Sequence, residues 1–148
     1  DLQIIQDIVL ITKKYAERHK VNINYDSDGD IKILLDSEKL KQAFVNIILN
    51  SIQAMPEGGL LNVNLKVTDK HVKISFEDTG TGIPKDKLEK IFDPFYTTKD
   101  KGTGLGLSIT HRIIEEHNGH IEIDSEIGKG TKIDIYLPIR QEEGEYNG

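Results

Sequence analysis

The 148-residue chain has no cysteine. Disulfides, thiolate metal sites and cysteine nucleophiles are thereby excluded, and a reducing compartment fits. Basic charge is also short, with 19 Lys+Arg against 25 Asp+Glu and a formal net charge of −6. A nucleic-acid or anionic-membrane surface needs a positive field, so neither is expected as the main business of the chain. A local basic cluster around an anionic ligand stays open. No apolar run approaches the roughly 18 residues a membrane span needs, and no direct membrane contact is expected. Repeats, low-complexity linkers and composition breaks are absent as well. The chain opens at Asp1 without Met or a signal peptide and reads as a piece of something longer. Valine is scarce, with 6 against 22 Ile and 13 Leu. The length suits one domain, and such a domain can remove about 68–70% of its unfolded surface from water.

What is present reads as alternating helices and strands. The first eighteen residues place Leu2, Ile5, Ile8, Val9, Thr12, Tyr15 and Ala16 at a helical period. Short alternating runs follow at Val21–Ile23–Tyr25 and Ile31–Ile33–Leu35, separated by the turn-like DSDGD of residues 26 to 30. Asp36 or Ser37 can cap a long helix over residues 38 to 55, which Pro56 and Gly58-Gly59 end. Leu61, Val63, Leu65 and Val67, then Val72, Ile74 and Phe76, alternate with polar residues and predict two strands with one buried face each. A short helix is expected at residues 85 to 91. Another runs from 105 to 117 and stops at the C-cap signal Asn118-Gly119. Strands at Ile121–Ile123 and Ile133–Ile135–Leu137 flank the turn Gly128-Lys129-Gly130. Single apolar faces predict a mixed, mostly antiparallel sheet covered by helices on one side, a two-layer α/β sandwich. Residues 140 to 148 read as an unpacked tail.

Two features carry chemistry. On the long helix, Lys39, Gln42, Asn46, Asn50 and Gln53 fall within an arc of about 80°, against an otherwise apolar circumference. Such a helix is largely buried, so its narrow polar stripe faces something polar. Asn46 and Asn50, one turn apart, offer amide oxygens that suit Mg²⁺, a cation that keeps waters and ligand phosphates. Taken alone, hydrogen bonds to neighbouring backbone or solvent are the more ordinary account of such a pair.

The second feature is three glycine clusters: Asp78-Thr-Gly80-Thr-Gly82-Ile83, Gly102-Thr103-Gly104-Leu105-Gly106-Leu107, and Gly128-Lys-Gly130-Thr131. Glycine lets backbone approach a ligand closely, and the second cluster opens a helix, whose N-terminus suits phosphate. Each alone is also an ordinary turn. None is a dinucleotide fingerprint or a P-loop: Leu107 stands at the sixth position from Gly102, and Gly130 follows Gly128-Lys129. The stretch from Asp26 lacks the acidic twelfth ligand of a calcium loop, that position being Ser37.

In this order, over residues 2 to 137, these segments resemble the catalytic ATP-binding domain of bacterial sensor histidine kinases, within the gyrase, Hsp90, histidine kinase and MutL superfamily. The matching boxes are Asn46-Ile-Ile-Leu-Asn50-Ser-Ile-Gln-Ala54, Asp78-x-Gly80-x-Gly82, Phe92-Asp-Pro-Phe95-Tyr96, Gly102-x-Gly104-x-Gly106-Leu107 and Gly128-x-Gly130-Thr131. The resemblance implies a domain over residues 1 to 139, with residues 84 to 108 as a lid over ATP and Mg²⁺. Asp78 would accept from the adenine amino group, assisted by Thr131 through water. Asn50, with Asn46 nearby, would hold Mg²⁺. The amides of Gly102 to Gly106, the helix start at Leu105, and Lys99 with Lys101 would hold the phosphates. Gly80, Gly82, Ile83, Phe92, Thr103 and Leu107 would complete the ATP site.

The resemblance further implies transfer of the γ-phosphoryl group to a histidine on a separate dimerisation domain, then to a response regulator, in the cytoplasm. Asn46 stands where hydrolytic relatives carry a glutamate base, and an amide cannot take a proton; fast hydrolysis is not expected. Gln53 replaces a lysine found in many histidine kinases. His19, His71, His111, His117 and His120 all lie outside an acceptor motif. A Ser/Thr kinase of the same superfamily and a nucleotide-sensing module without transferase activity are the alternatives.

Overall fold

Period-two patterning builds one inward face along each strand of a five-stranded sheet, half-buried rather than buried on the edge strand over His120–Glu126. The computed structural model describes residues 3–27, 34–35, 38–68, 71–88, 90 and 104–138. In chain order its elements are β1 (Gln3–Ile4), α1 (Ile5–Arg18), β2 (Val21–Ser27), β3 (Leu34–Leu35), α2 (Glu38–Gln53), β4 (Gly59–Thr68), β5 (His71–Asp78), α3 (Lys85–Leu88), α4 (Gly104–Glu116), β6 (His120–Glu126) and β7 (Gly130–Pro138). The large sheet runs β2-β4-β5-β7-β6. Among the described residues only β2 and β4 pair in parallel, from Val21 opposite Gly59 to Ser27 opposite Leu65. The other ladders are antiparallel, with Leu61 opposite Asp78, Val72 opposite Leu137 and Ile123 opposite Ile133. A parallel pair needs a crossover, and α2 lies in the one that joins β2 to β4.

Leu61, Val63, Leu65, Ile74, Phe76, Ile133 and Ile135 point from the sheet into the helical layer and are buried. Helix α2 answers with Phe44, Ile47, Ile48 and Ile52, none more than 1% exposed. The Phe44 and Phe76 rings stack across the two layers, 6.0 Å between centroids. Fully burying a side chain of this size contributes about 1.5–3 kcal/mol, so the α2–β5 contact fixes how the polar stripe of α2 sits relative to the end of β5.

The C-terminus of α4 closes as predicted. Asn118 adopts φ 63°; its N–H donates to the Glu115 carbonyl at 3.0 Å, and the Gly119 N–H donates to that of Ile114 at 3.0 Å. Both bonds satisfy carbonyls that a helix end otherwise leaves orphaned.

The structure corrects three sequence expectations. Gln3–Ile4 form a strand paired antiparallel with Leu34–Leu35, so the helix starts at Ile5 rather than spanning all eighteen residues. Long-range pairing overrides local periodicity there. The strand predicted over 31 to 35 is seen at 34–35, in this small ribbon outside the main sheet, and 31 to 33 lie outside the described residues. Helix α2 ends at Gln53; the Ala54 and Met55 N–H groups then bond back to Ser51 and Ile52 in a closing turn. The short helix is Lys85–Leu88, and residues 89 and 91 lie outside the described residues, as do the Asp36/Ser37 cap, most of the 26–30 turn and the 140–148 tail.

Candidate functional site

Asp78 is the last residue of β5 and keeps its inward phase, so its carboxylate enters the covered layer and is 4% exposed. A buried carboxylate is expensive unless hydrogen-bonded. Here the Gly80 N–H donates to Oδ1 at 2.8 Å and the Thr131 N–H donates to the same oxygen at 3.1 Å. The Ser51 hydroxyl of α2 supplies a third donor. Burial pushes the carboxyl above its ordinary value of 3.8, the three hydrogen bonds pull it back, and the Glu77 charge adds to the rise. A carboxylate offers about four lone-pair positions, so Asp78 retains capacity for one more donor.

These bonds join three elements distant in sequence. The loop after Asp78 is also tied to the last turn of α2, where the Thr81 N–H donates to the Ala54 carbonyl at 3.2 Å. On its other side the Gly128 N–H donates to the Thr81 carbonyl at 2.9 Å, and the Ile83 N–H donates to Ser125 Oγ at 2.8 Å. Gly130 sits at φ +104°, and a Cβ there would fall on the Asp78 carbonyl oxygen. Glycine at that position is thus required twice, by conformation and by the close approach of β7 to β5.

Of the residues singled out in the sequence, Asp78, Gly80, Gly82, Ile83 and Thr131 come together in this network. Asn46 and Asn50 lie half-buried on α2, and Gln53 is exposed at its end. The fastening of Ser51 and Ala54 to the Asp78 loop sets the end of the polar stripe beside it. Gly104, Leu105, Gly106 and Leu107 form the first turn of α4, with Leu107 8% exposed. Phe92, Lys99, Lys101, Gly102 and Thr103 lie outside the described residues. A shallow cavity of about 170 Å³ borders Asp78, Ser125 and Thr131, below the size of a usual ligand pocket.

Comparison with known proteins decides the family. The family described as histidine kinase-, DNA gyrase B-, and HSP90-like ATPase matches residues 35–141. The chain belongs to it. Sporulation kinase E of Bacillus subtilis (strain 168) is 45% identical over 145 residues, covering 97% of this chain. The chain spans 20% of that relative's length. The nucleotide-free catalytic domain of histidine kinase ThkA superposes with a TM-score of 0.81 at 29% identity, covering 93% of this chain and 95% of that one. ThkA in complex with the response regulator protein TrrA matches at a TM-score of 0.75 and 27% identity, covering 90% of this chain and 39% of that one. The chain is thus an ATPase domain of the histidine kinase type, with the α+β sandwich of its catalytic domains.

Two residues of this ATPase domain site escape sequence reading. Ser51 occupies the apolar side of α2 between Ile48 and Ile52, where its small hydroxyl looks like a space-filler. Ser125 ends the inward phase of β6, three residues before the last glycine cluster. The signal for both is a small hydroxyl in an otherwise apolar phase, which has a function only if a partner stands opposite.

Proposed function

We propose that this domain binds Mg-ATP and donates the γ-phosphoryl group to a histidine on the dimerisation domain of its parent protein, for onward transfer to a response regulator. The observation that carries the reading is the Asp78 carboxylate, kept 4% exposed by donors from Gly80, Thr131 and Ser51. Its unfilled acceptor capacity suits the adenine amino group, with Thr131 assisting; guanine presents a carbonyl at that position and gains nothing from an acceptor.

Mg²⁺ fits the amide oxygens of Asn50 and Asn46, which are hard donors. Among the described residues no group of three or more His, Cys, Asp or Glu forms an alternative cage. Once bound, the ion would neutralise phosphate charge. Lys99 and Lys101 add positive charge to the outer phosphates, and the backbone N–H groups that open α4 add donors of their own. Phosphoryl transfer rests mainly on such positioning and charge neutralisation. Asn46 cannot act as a base toward water, whereas a neutral imidazole already carries a lone pair. The domain extends over residues 1 to 139, with 84 to 108 as a lid on the nucleotide and 140 to 148 as a tail. Among the described residues no helix is long and apolar enough to cross a membrane.

The test is incubation of the chain with γ-labelled ATP. ATP binds, the chain stays unlabelled, and turnover remains well under about 1 per second, the low end of the usual enzyme range. Adding the parent's helical histidine domain yields acid-labile, base-stable label. Label on any of the five histidines of this chain, or binding without transfer in the presence of that domain, overturns the proposal.

A further inference from the structure

Ser125 Oγ meets three partners. It receives the Ile83 N–H at 2.8 Å, lies 3.0 Å from the Gly130 carbonyl oxygen, and lies 2.8 Å from Thr131 Oγ1. A serine hydroxyl carries one proton, and a carbonyl oxygen only accepts. All three contacts are hydrogen bonds in one arrangement alone: Ser125 donates to Gly130, and Thr131 donates to Ser125. Thr131 is 8% exposed, and its own N–H is committed to Asp78. Its hydroxyl oxygen is then left with lone pairs only, beside a carboxylate that also only accepts.

We infer that Ser125 is a positioning residue that sets base selectivity, holding the Thr131 proton so that the base-recognition end of the site presents acceptors and no hydroxyl donor. This rests on the adenine-nucleotide reading above and adds to it a residue that need not touch the nucleotide. A purine with an amino group at C6 matches such a surface. One with a carbonyl there, as in ITP, faces lone pairs against lone pairs. Removing the Ser125 hydroxyl frees the Thr131 proton to turn toward that carbonyl.

The experiment is titration calorimetry of the 148-residue chain with Mg-ATP and Mg-ITP, reading the ratio of the two affinities. Wild type prefers ATP. Ser125→Ala reduces that preference about tenfold, the worth of one neutral hydrogen bond. Ser125→Thr, which keeps a hydroxyl, restores it. General loosening of the loop would mimic the first result, so the double variant Ser125→Ala/Thr131→Val separates the two. With no Thr131 hydroxyl left to free, the double variant keeps the ATP-to-ITP ratio of Thr131→Val alone; loosening would lower that ratio further. Thr131→Val alone, which covers the case of an unstable Ser125 variant, weakens ATP binding more than ITP binding.

An unchanged ratio in Ser125→Ala overturns the inference, as does a double variant whose ratio falls below that of Thr131→Val alone, or equal weakening of both nucleotides by Thr131→Val. A wild-type chain that binds ATP no better than ITP overturns the adenine reading itself.

Discussion

Replacing Gly130 by alanine tests whether the close approach of β7 to β5 builds the site. Gly128, two residues earlier, provides an internal control. Both have left-handed backbone, φ +83° at Gly128 and φ +104° at Gly130. A non-glycine residue held in such a region costs about 1–3 kcal/mol, and that cost is common to the two. Their surroundings differ. A Cβ at Gly128 meets nothing within 4 Å, whereas one at Gly130 lands on the Asp78 carbonyl oxygen, 3.0 Å from its carbon and 3.1 Å from Thr79 Cα. Every one of those atoms is backbone, so the start of β7 must move. Movement strains the bond from the Thr131 N–H to Asp78 Oδ1, 3.1 Å long, and a hydrogen bond to a charged group contributes about 1.5–3 kcal/mol.

The expected totals are about 1–3 kcal/mol for Gly128→Ala and about 2.5–6 kcal/mol for Gly130→Ala. At about 2–4 °C per kcal/mol for a domain near this size, Gly130→Ala lowers Tm by roughly 5–24 °C, and Gly128→Ala by at most half as much. Fluorimetric melting reads the first quantity, and calorimetry with Mg-ATP reads a loss of affinity confined to Gly130→Ala. Equal falls in Tm, or wild-type affinity in Gly130→Ala, refute the reasoning.

Asn50→Ala should abolish the Mg²⁺ dependence of ATP binding while leaving Tm near that of wild type; equal wild-type affinity with and without Mg²⁺ rules the metal role out. Asp78→Asn separates folding from binding. Because the folded carboxyl is raised above 3.8, its ionisation costs stability, a cost absent below that value and fully present once pH exceeds the folded value. The Tm of Asp78→Asn relative to wild type should therefore climb as pH rises through that window, while ATP affinity is lost; a pH-independent difference contradicts the burial argument. Amide exchange over residues 84 to 108 should slow when Mg-ATP binds, and strong protection without nucleotide would count against a lid.

Much of this architecture is legible because burial follows local pattern. The alternation in β4, β5 and β7 and the Asn118-Gly119 stop of α4 need no knowledge of partners. Partner choice is another matter: nothing in Val21–Ile23–Tyr25 says that β2 lies parallel to β4, and Gln3–Ile4 become a strand only because Leu34–Leu35 lie opposite. The same division runs through the site. Asp78 and Thr131 stand out by their glycine neighbours, whereas Ser51 and Ser125 act through atoms brought near by the fold. Family resemblance supplied the role proposed for Asp78; the three donors that keep it buried are visible only in the structure.

The bond between the Thr131 amide and the Asp78 carboxylate joins residues 53 positions apart, and this separation bears on the order of folding. The β5–β7 ladder that aligns them pairs Glu77 with Lys132 and His71 with Pro138, so a long stretch of chain must be closed first. Loop closure of this kind is slow compared with helix formation. Helix α2 can form early and carry its asparagines, yet the proposed base-recognition end of the site does not exist until β7 has docked. Nucleotide should therefore bind nothing short of the finished domain and draw the equilibrium toward it by mass action. In refolding, the return of ATP binding should coincide with the last structural phase rather than with the return of helix.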